Sequence, residues 1–205
     1  MFFAFDGLDG VGKSTQIQQF CQWLSEQGHT VATCRDPGST PLGEAIRDLL
    51  LHRAELTIDR PAEMFLYMAA RAQLVQSVIQ PALARGEIVV SDRYLLANVV
   101  YQGYAGGLDV ELLWQIGKTA TAGLLPDLTF VLDLSPAAAA ARLNRPLDRM
   151  EQQGADFATK LRAGFLAEAL RQPDRIAVVD ADRPVEEIQQ EIRQIAAEVL
   201  DLDRG

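Results

Sequence analysis

Phe2-Phe3-Ala4-Phe5-Asp6-Gly7-Leu8-Asp9-Gly10-Val11-Gly12-Lys13-Ser14-Thr15 decides how the rest of the chain is read. Its first four residues are an apolar run of strand length. Residues 7–14 fit G-x-x-x-x-G-K-[ST], and a segment of helical period follows from Lys13 to Gln27, stopped by Gly28. Strand, glycine-rich turn and helix in that order form a phosphate cradle. Gly7, Gly10 and Gly12 permit a tight turn through Leu8, Asp9 and Val11. Its backbone N–H groups, continuing into Lys13, Ser14 and Thr15, face phosphate oxygens at the positive end of the helix. Lys13 supplies a point charge for the β and γ phosphates, and Ser14 a hydroxyl for Mg²⁺. A glycine-rich turn with a chance Lys-Ser is the competing reading, and the correct flanking elements argue against it. Lys13 is also the only lysine among the first 117 residues. The pattern implies a nucleoside triphosphate with Mg²⁺.

Further apolar runs of strand length recur at Thr30 to Cys34, Glu87 to Ser91, Leu128 to Leu134 and Arg175 to Val179, separated by segments of helical period. Glu63 to Arg85 ends at Gly86, and Ser135-Pro136 offers an N-cap followed by a proline at the first helical position. Five strands alternating with helices predict an α/β fold: a five-stranded parallel sheet with helices on both faces and ligands at the carboxyl ends of its strands. The third run ends in Asp92, placed beside the cradle for the metal, although a strand-terminal Asp also serves as a cap or turn former. Asn144 to Gly154 is polar, carries arginines and is bounded by helices, so it reads as a mobile loop that closes over a phosphate-bearing substrate or as a plain connection. We expect one domain, 1–205, with a lid at about 142–154.

Composition narrows the class. With 48% hydrophobic and 23% charged residues, the 205-residue chain matches soluble globular domains. Nineteen Lys and Arg against 28 Asp and Glu give a net charge of −9, which disfavours nucleic acid and anionic membranes as partners. Cys21 and Cys34 lie inside apolar patterns and read as reduced core residues. No run reaches the roughly 18 apolar residues of a spanning helix, and the start reads as no signal peptide. These features predict a soluble, cytoplasmic protein.

The acceptor is the open question. If it already carries a phosphate, its second ionisation near pH 6 leaves a nucleophile that needs cations rather than a strong base. Arg93 follows the metal carboxylate, and Arg47 and Arg71 lie on helices facing the same rim. If the acceptor is a hydroxyl, Asp36 at the end of the second strand is the candidate base. A nucleotide-binding switch is the rival from another class, but no Asn-Lys-x-Asp guanine motif occurs.

An ordered set of motifs covering nearly the whole chain resembles the thymidylate kinases, which are P-loop nucleoside monophosphate kinases. It comprises Asp6 to Thr15, Arg35-Asp36-Pro37-Gly38, Ala69-Ala70-Arg71, Asp92-Arg93-Tyr94, Tyr101-Gln102-Gly103, Pro126-Asp127-Leu128-Thr129 and Asp148-Arg149-Met150-Glu151. The resemblance implies transfer of the γ-phosphoryl group of ATP to thymidine monophosphate (dTMP) by a cytoplasmic homodimer that handles small nucleotides. It places Tyr67 against the thymine ring, Arg71 and Gln102 on the base with Asn98 nearby, Arg93 and Arg47 on the acceptor phosphate, and Tyr101 beneath the sugar. It directs Asp9 to the sugar hydroxyl or acceptor phosphate and stacks Arg142 on adenine, with Asp180 to Pro184 in the adenine pocket. Where some members carry a basic residue in the cradle, Gly10 and Val11 stand here. The transition-state cations are therefore expected from Arg145 and Arg149, as in the subgroup with a catalytic lid. Asp36 replaces the family's usual Glu, and Leu95-Leu96-Ala97-Asn98 replaces its acid and small hydroxyl residues.

Overall fold

The computed structural model describes residues 1–53, 55–143 and 149–202. Five strands, β1 (Phe2–Gly7), β2 (Val31–Arg35), β3 (Ile88–Asp92), β4 (Leu128–Asp133) and β5 (Ile176–Asp180), form one sheet in the order β2-β3-β1-β4-β5. Every pairing is parallel. The register aligns Arg35, Asp92 and Phe5 across three adjacent strands, so β1, β2 and β3 discharge their next residues at one edge.

The continuous apolar strands follow from burial on both faces. On one face Phe3, Phe5 and Phe130 pack with Phe20 and Leu24 of α1 (Lys13–Glu26), under α8 (Ala155–Arg171) and α9 (Val185–Leu202). Phe3 meets Phe20 edge-on with ring centroids 5.3 Å apart. On the opposite face Phe2, Ala4 and Val89 pack with Met64, Met68 and Leu74 of α3 (Arg60–Leu74) and with Tyr94. Period-2 alternation along Phe2-Phe3-Ala4-Phe5 thus feeds two cores at once.

Helix starts are locally encoded. Thr40 accepts from Gly43 N at 2.9 Å and opens α2 (Pro41–Leu51), while Ser135 accepts from Ala138 N at 3.3 Å and opens α7 (Pro136–Ala141). Glu63 to Arg85 proves to be a longer unit that begins at Arg60, behind Asp59 and ahead of Pro61. It continues through a π turn at Val75–Ile79 into α4 (Gln80–Ala84). Pro81 has no N–H to give the preceding turn, and the π turn accommodates the lost bond. A second π turn, Val99–Ala105, follows α5 (Leu95–Asn98) and precedes α6 (Val110–Ala120). Ahead of α9, the Asp182 N–H donates to Asp180 Oδ1 at 2.9 Å. Both cysteines are free. Among the described residues no helix is long and apolar enough to cross a membrane.

Candidate active site

The cradle is pressed between two neighbours. A Cβ on Gly7 (φ 126) would lie 2.5 Å from the carbonyl oxygen of Leu132 on β4, and one on Gly10 (φ 85) 2.2 Å from that of Ala139 on α7, so only glycine fits. Lys13 curls back over the turn: Nζ donates to Leu8 O at 2.7 Å and Gly7 O at 3.3 Å and stands 3.5 Å from Asp9 Oδ1. Burial, reinforced by Arg93, draws the ammonium pKa down.

A cleft of about 560 Å³ opens over the cradle from Asp9 through Gly10, Val11, Gly12, Lys13 and Ser14 to Thr15. Asp92, Arg142, Arg183, Val185 and Ile188 complete its lining. Arg142 Nη1 donates to Ala181 O at 3.1 Å, which holds the start of α7's exit loop against the β5–α9 connection. Among the described residues no three His, Cys, Asp or Glu side chains gather to cage a metal. Mg²⁺ asks for less, one or two protein oxygens with phosphates and water completing the octahedron. Ser14 and Asp92 share this cleft and fit that demand.

Beside it lies a narrower cavity of about 100 Å³ between α2, α3 and the second π turn. Tyr67 and Arg71 enter from α3, Asn98 from α5, and Tyr101 and Gln102 from the π turn. A polar chain runs along its floor. Arg71, 1% exposed, donates from Nε to Asp36 Oδ2 at 2.5 Å and from Nη1 to Asn98 Oδ1 at 3.0 Å. Asn98 Nδ2 donates to Gln102 Oε1, and Gln102 Nε2 donates to Glu63 Oε1 at 2.8 Å. Burial raises the Asp36 carboxyl above its usual range against the pull of Arg71, and its Oδ1 has no hydrogen-bond partner among the described residues. The hydrophobic Leu95-Leu96-Ala97 that precedes Asn98 is buried; Leu95 fills the space above Gly117 of α6.

Arg93 joins the two cavities. Its backbone is left-handed (φ 68), a strained setting for a residue with a Cβ, held by Arg93 N donating to Phe5 O at 2.9 Å and Ser91 Oγ donating to Arg93 O at 2.7 Å. The guanidinium donates to Gly7 O at 3.0 Å and Asp9 Oδ1 at 2.9 Å and lies 5.1 Å over the Tyr101 ring. Against burial, which pulls the other way, Arg93 and Lys13 hold the Asp9 carboxyl far below the usual range. Asp6, fully buried beneath them, is pushed up to about 7 by burial, and its Oδ2 has no partner among the described residues. Asp9, Asp36, Arg47 and Arg93 line both cavities. Arg47 Nη1 is held by Pro37 O at 2.9 Å, so it faces the rim rather than solvent.

The structure thus gathers the sequence candidates around the two cavities, except Gly7 and Leu8, which line neither of them, and the two lid arginines. Arg145 lies outside the described residues. Arg149 is not brought to the cradle: Nε donates to Leu50 O at 2.7 Å and Nη2 pairs with Glu63, because that carboxylate is fully buried and must be met by cations. Glu63 itself escaped the sequence reading, as did a role for Asp6, whose Oδ1 accepts from Arg93 Nη1 at 3.4 Å. The signal for Glu63 was its spacing, since Glu63, Tyr67 and Arg71 recur every fourth residue on one helical face.

A glycine cradle at the end of β1, an acidic strand end beside it and a second, arginine-lined cavity sharing its rim define a P-loop kinase that transfers phosphoryl groups between nucleotides. Comparison with known proteins narrows the class. Residues 5–192 match the family model "Thymidylate kinase". The thymidylate kinase of Symbiobacterium thermophilum is 45% identical over 201 residues, covering 98% of this chain and 94% of that protein. That of Clavibacter sepedonicus is 46% identical over 196 residues, covering 94% and 92%. The crystal structure of thymidylate kinase from Ehrlichia chaffeensis superposes with a TM-score of 0.78 at 29% identity, covering 96% of this chain and 98% of that one. The chain belongs to the thymidylate kinase family, the ATP-dependent nucleoside monophosphate kinases that the motifs resemble.

Proposed function

We infer that the protein transfers the γ-phosphoryl group of ATP to dTMP, giving thymidine diphosphate and ADP, with Mg²⁺. The observation that carries the residue assignment is the shared rim: Asp9, Asp36, Arg47 and Arg93 line both cavities, so two phosphate groups bound in them meet there. An oxygen of the acceptor phosphate attacks the γ-phosphorus, the bond to the β,γ-bridging oxygen breaks, and ADP leaves with that electron pair. The acceptor dianion brings its own nucleophile, so the protein's task is positioning and charge neutralisation.

Lys13 and the N–H groups of residues 7–15 hold the donor phosphates. Ser14 and Asp92 would hold Mg²⁺, which neutralises the phosphate oxygens when bound. Arg93 and Arg47 meet the acceptor phosphate. Arg71, Asn98 and Gln102 address the base, Tyr67 lies against it, and Tyr101 supports the sugar. Arg142 borders the adenine side. Arg145 and Arg149 remain the cations of the 142–154 lid of a single domain spanning 1–205.

A nucleoside kinase with Asp36 as base is disfavoured by the engagement of Asp36 with buried Arg71, which makes it a positioning residue. Phe65 on α3 is 57% exposed, with Ala62 and Ala69 of the same helical face also open, which supports a homodimer built on that helix. The net charge of −9 supports small nucleotides over nucleic acid as partners, and the free cysteines support a cytoplasmic setting.

An ADP-release assay with ATP, Mg²⁺ and a panel of nucleosides and monophosphates tests the reading. Strong preference for dTMP is expected. Turnover with a bare nucleoside only, or with no acceptor, overturns it.

A further inference from the structure

We propose that Glu63 is a positioning residue that sets the hydrogen-bond polarity of the acceptor pocket and ties it to Arg149. The inference rests on the dTMP reading of that pocket. Glu63 lies on α3 with its side chain fully shielded from solvent. Oε1 accepts from Gln102 Nε2 at 2.8 Å and faces Arg60 Nη1 at 3.3 Å; Oε2 pairs with Arg149 Nη2.

An ionised carboxylate only accepts, and a guanidinium only donates. The chain Arg71 to Asn98 to Gln102 to Glu63 therefore has a donor-only terminus and an acceptor-only terminus. Between them neither amide can turn over: Asn98 must present Oδ1 to Arg71 and Nδ2 to Gln102, and Gln102 must present Nε2 to Glu63. Both amides line the acceptor cavity, so the atoms they offer a base are decided by Glu63, beyond the reach of any ligand there. The same carboxylate is the anion on which Arg149 rests, between α3 and Leu50 O of α2. Base readout and Arg149 placement thus share one group. None of the reacting atoms touches it, so its role is positioning.

Glu63→Gln keeps the shape but carries a donor at one end. It can accept from Gln102 only by turning its NH₂ toward Arg149, or meet Arg149 only by turning its NH₂ toward Gln102. Either choice opposes two donors in a buried site, which costs on the order of tenfold or more in binding.

The test measures dTMP affinity by calorimetry and kcat/KM for dTMP and dCMP in the wild type, Glu63→Gln, Arg149→Met and the double variant, with Glu63→Asp as the conservative variant. The expected result is a dTMP affinity about tenfold or more weaker in each single variant. The double variant is expected to be no weaker than the worse single, ATP KM little changed, and the dTMP over dCMP preference narrowed in Glu63→Gln and partly restored in Glu63→Asp. A loosened fold would instead lower both acceptors alike and leave the preference intact. Additive single effects, an unchanged preference, or equal losses for ATP and dTMP overturn the inference. A wild type that turns over no dTMP overturns the functional reading itself and is recognised before any variant is made.

Discussion

Asp9 Oδ1 accepts from Arg93 Nη2 at 2.9 Å across 84 residues of chain, and Lys13 Nζ stands 3.5 Å from the same oxygen. One carboxylate thus separates the two cations that converge where phosphates are handled. Asp9→Asn removes the anion and leaves the guanidinium and ammonium facing each other. Without nucleotide the variant should lose about 1–2 kcal/mol of stability. ATP with Mg²⁺ restores a counter-charge, so its stabilising effect on the melting temperature should exceed that in the wild type. A nucleotide-induced shift of wild-type size in a thermal melt would show that Asp9 is not what keeps the two cations together.

Lys13 is the cradle's only lysine, and its ammonium is held by the carbonyls of Leu8 and Gly7. Lys13→Ala should lower kcat on the order of 10²–10³-fold, the usual cost of removing one preorganised donor from a developing charge. Steady-state kinetics at saturating ATP decide this. A loss confined to ATP KM would make Lys13 a binding group without a part in transfer.

Burial places the Asp6 carboxyl at about 7 in the folded protein, against 3.8 for an ordinary Asp. Between those values the folded state holds a proton that the unfolded state has released. Asp6 therefore lowers stability progressively as pH rises from about 4 to about 7, to a limit on the order of 4 kcal/mol. Asp6→Asn keeps the shape and cannot ionise. Compared with the wild type, it should lose less stability between pH 4 and pH 7 in urea titrations. Parallel pH profiles for the two proteins would refute the assignment.

Asp36 accepts from the buried Arg71 at 2.5 Å. Asp36→Asn leaves that guanidinium without its anion and should destabilise the fold by about 3 kcal/mol. Measurable dTMP turnover should survive, since the acceptor phosphate needs no base from the protein. Loss of all activity in a folded Asp36→Asn protein, shown by an unchanged circular dichroism spectrum, would return the base role to Asp36.

The sheet was readable in the chain because its signals are local. Each predicted strand exists within a few residues of its expected bounds. The Ser135 cap and the Asp92 strand end likewise depend on neighbours a few positions away. β1 proved two residues longer than its apolar run because Asp6 and Gly7 pair with Val131 and Leu132 of β4, a fact that lies in register and not in hydropathy.

By itself, then, the sequence determined the α/β class, the phosphate cradle and a set of candidate site residues. Tertiary structure alone decided how they are coupled. Arg71 meets Asp36 over 35 residues and Asn98 over 27, Glu63 meets Gln102 over 39, and Arg149 meets Glu63 over 86. Such pairings leave no period in the chain. A carboxylate on an apolar helix face reads as an exception to the pattern until folding removes its water. Once buried, Glu63 must gather donors from wherever the fold supplies them, and this requirement draws Arg149 to the acceptor helix instead of the cradle.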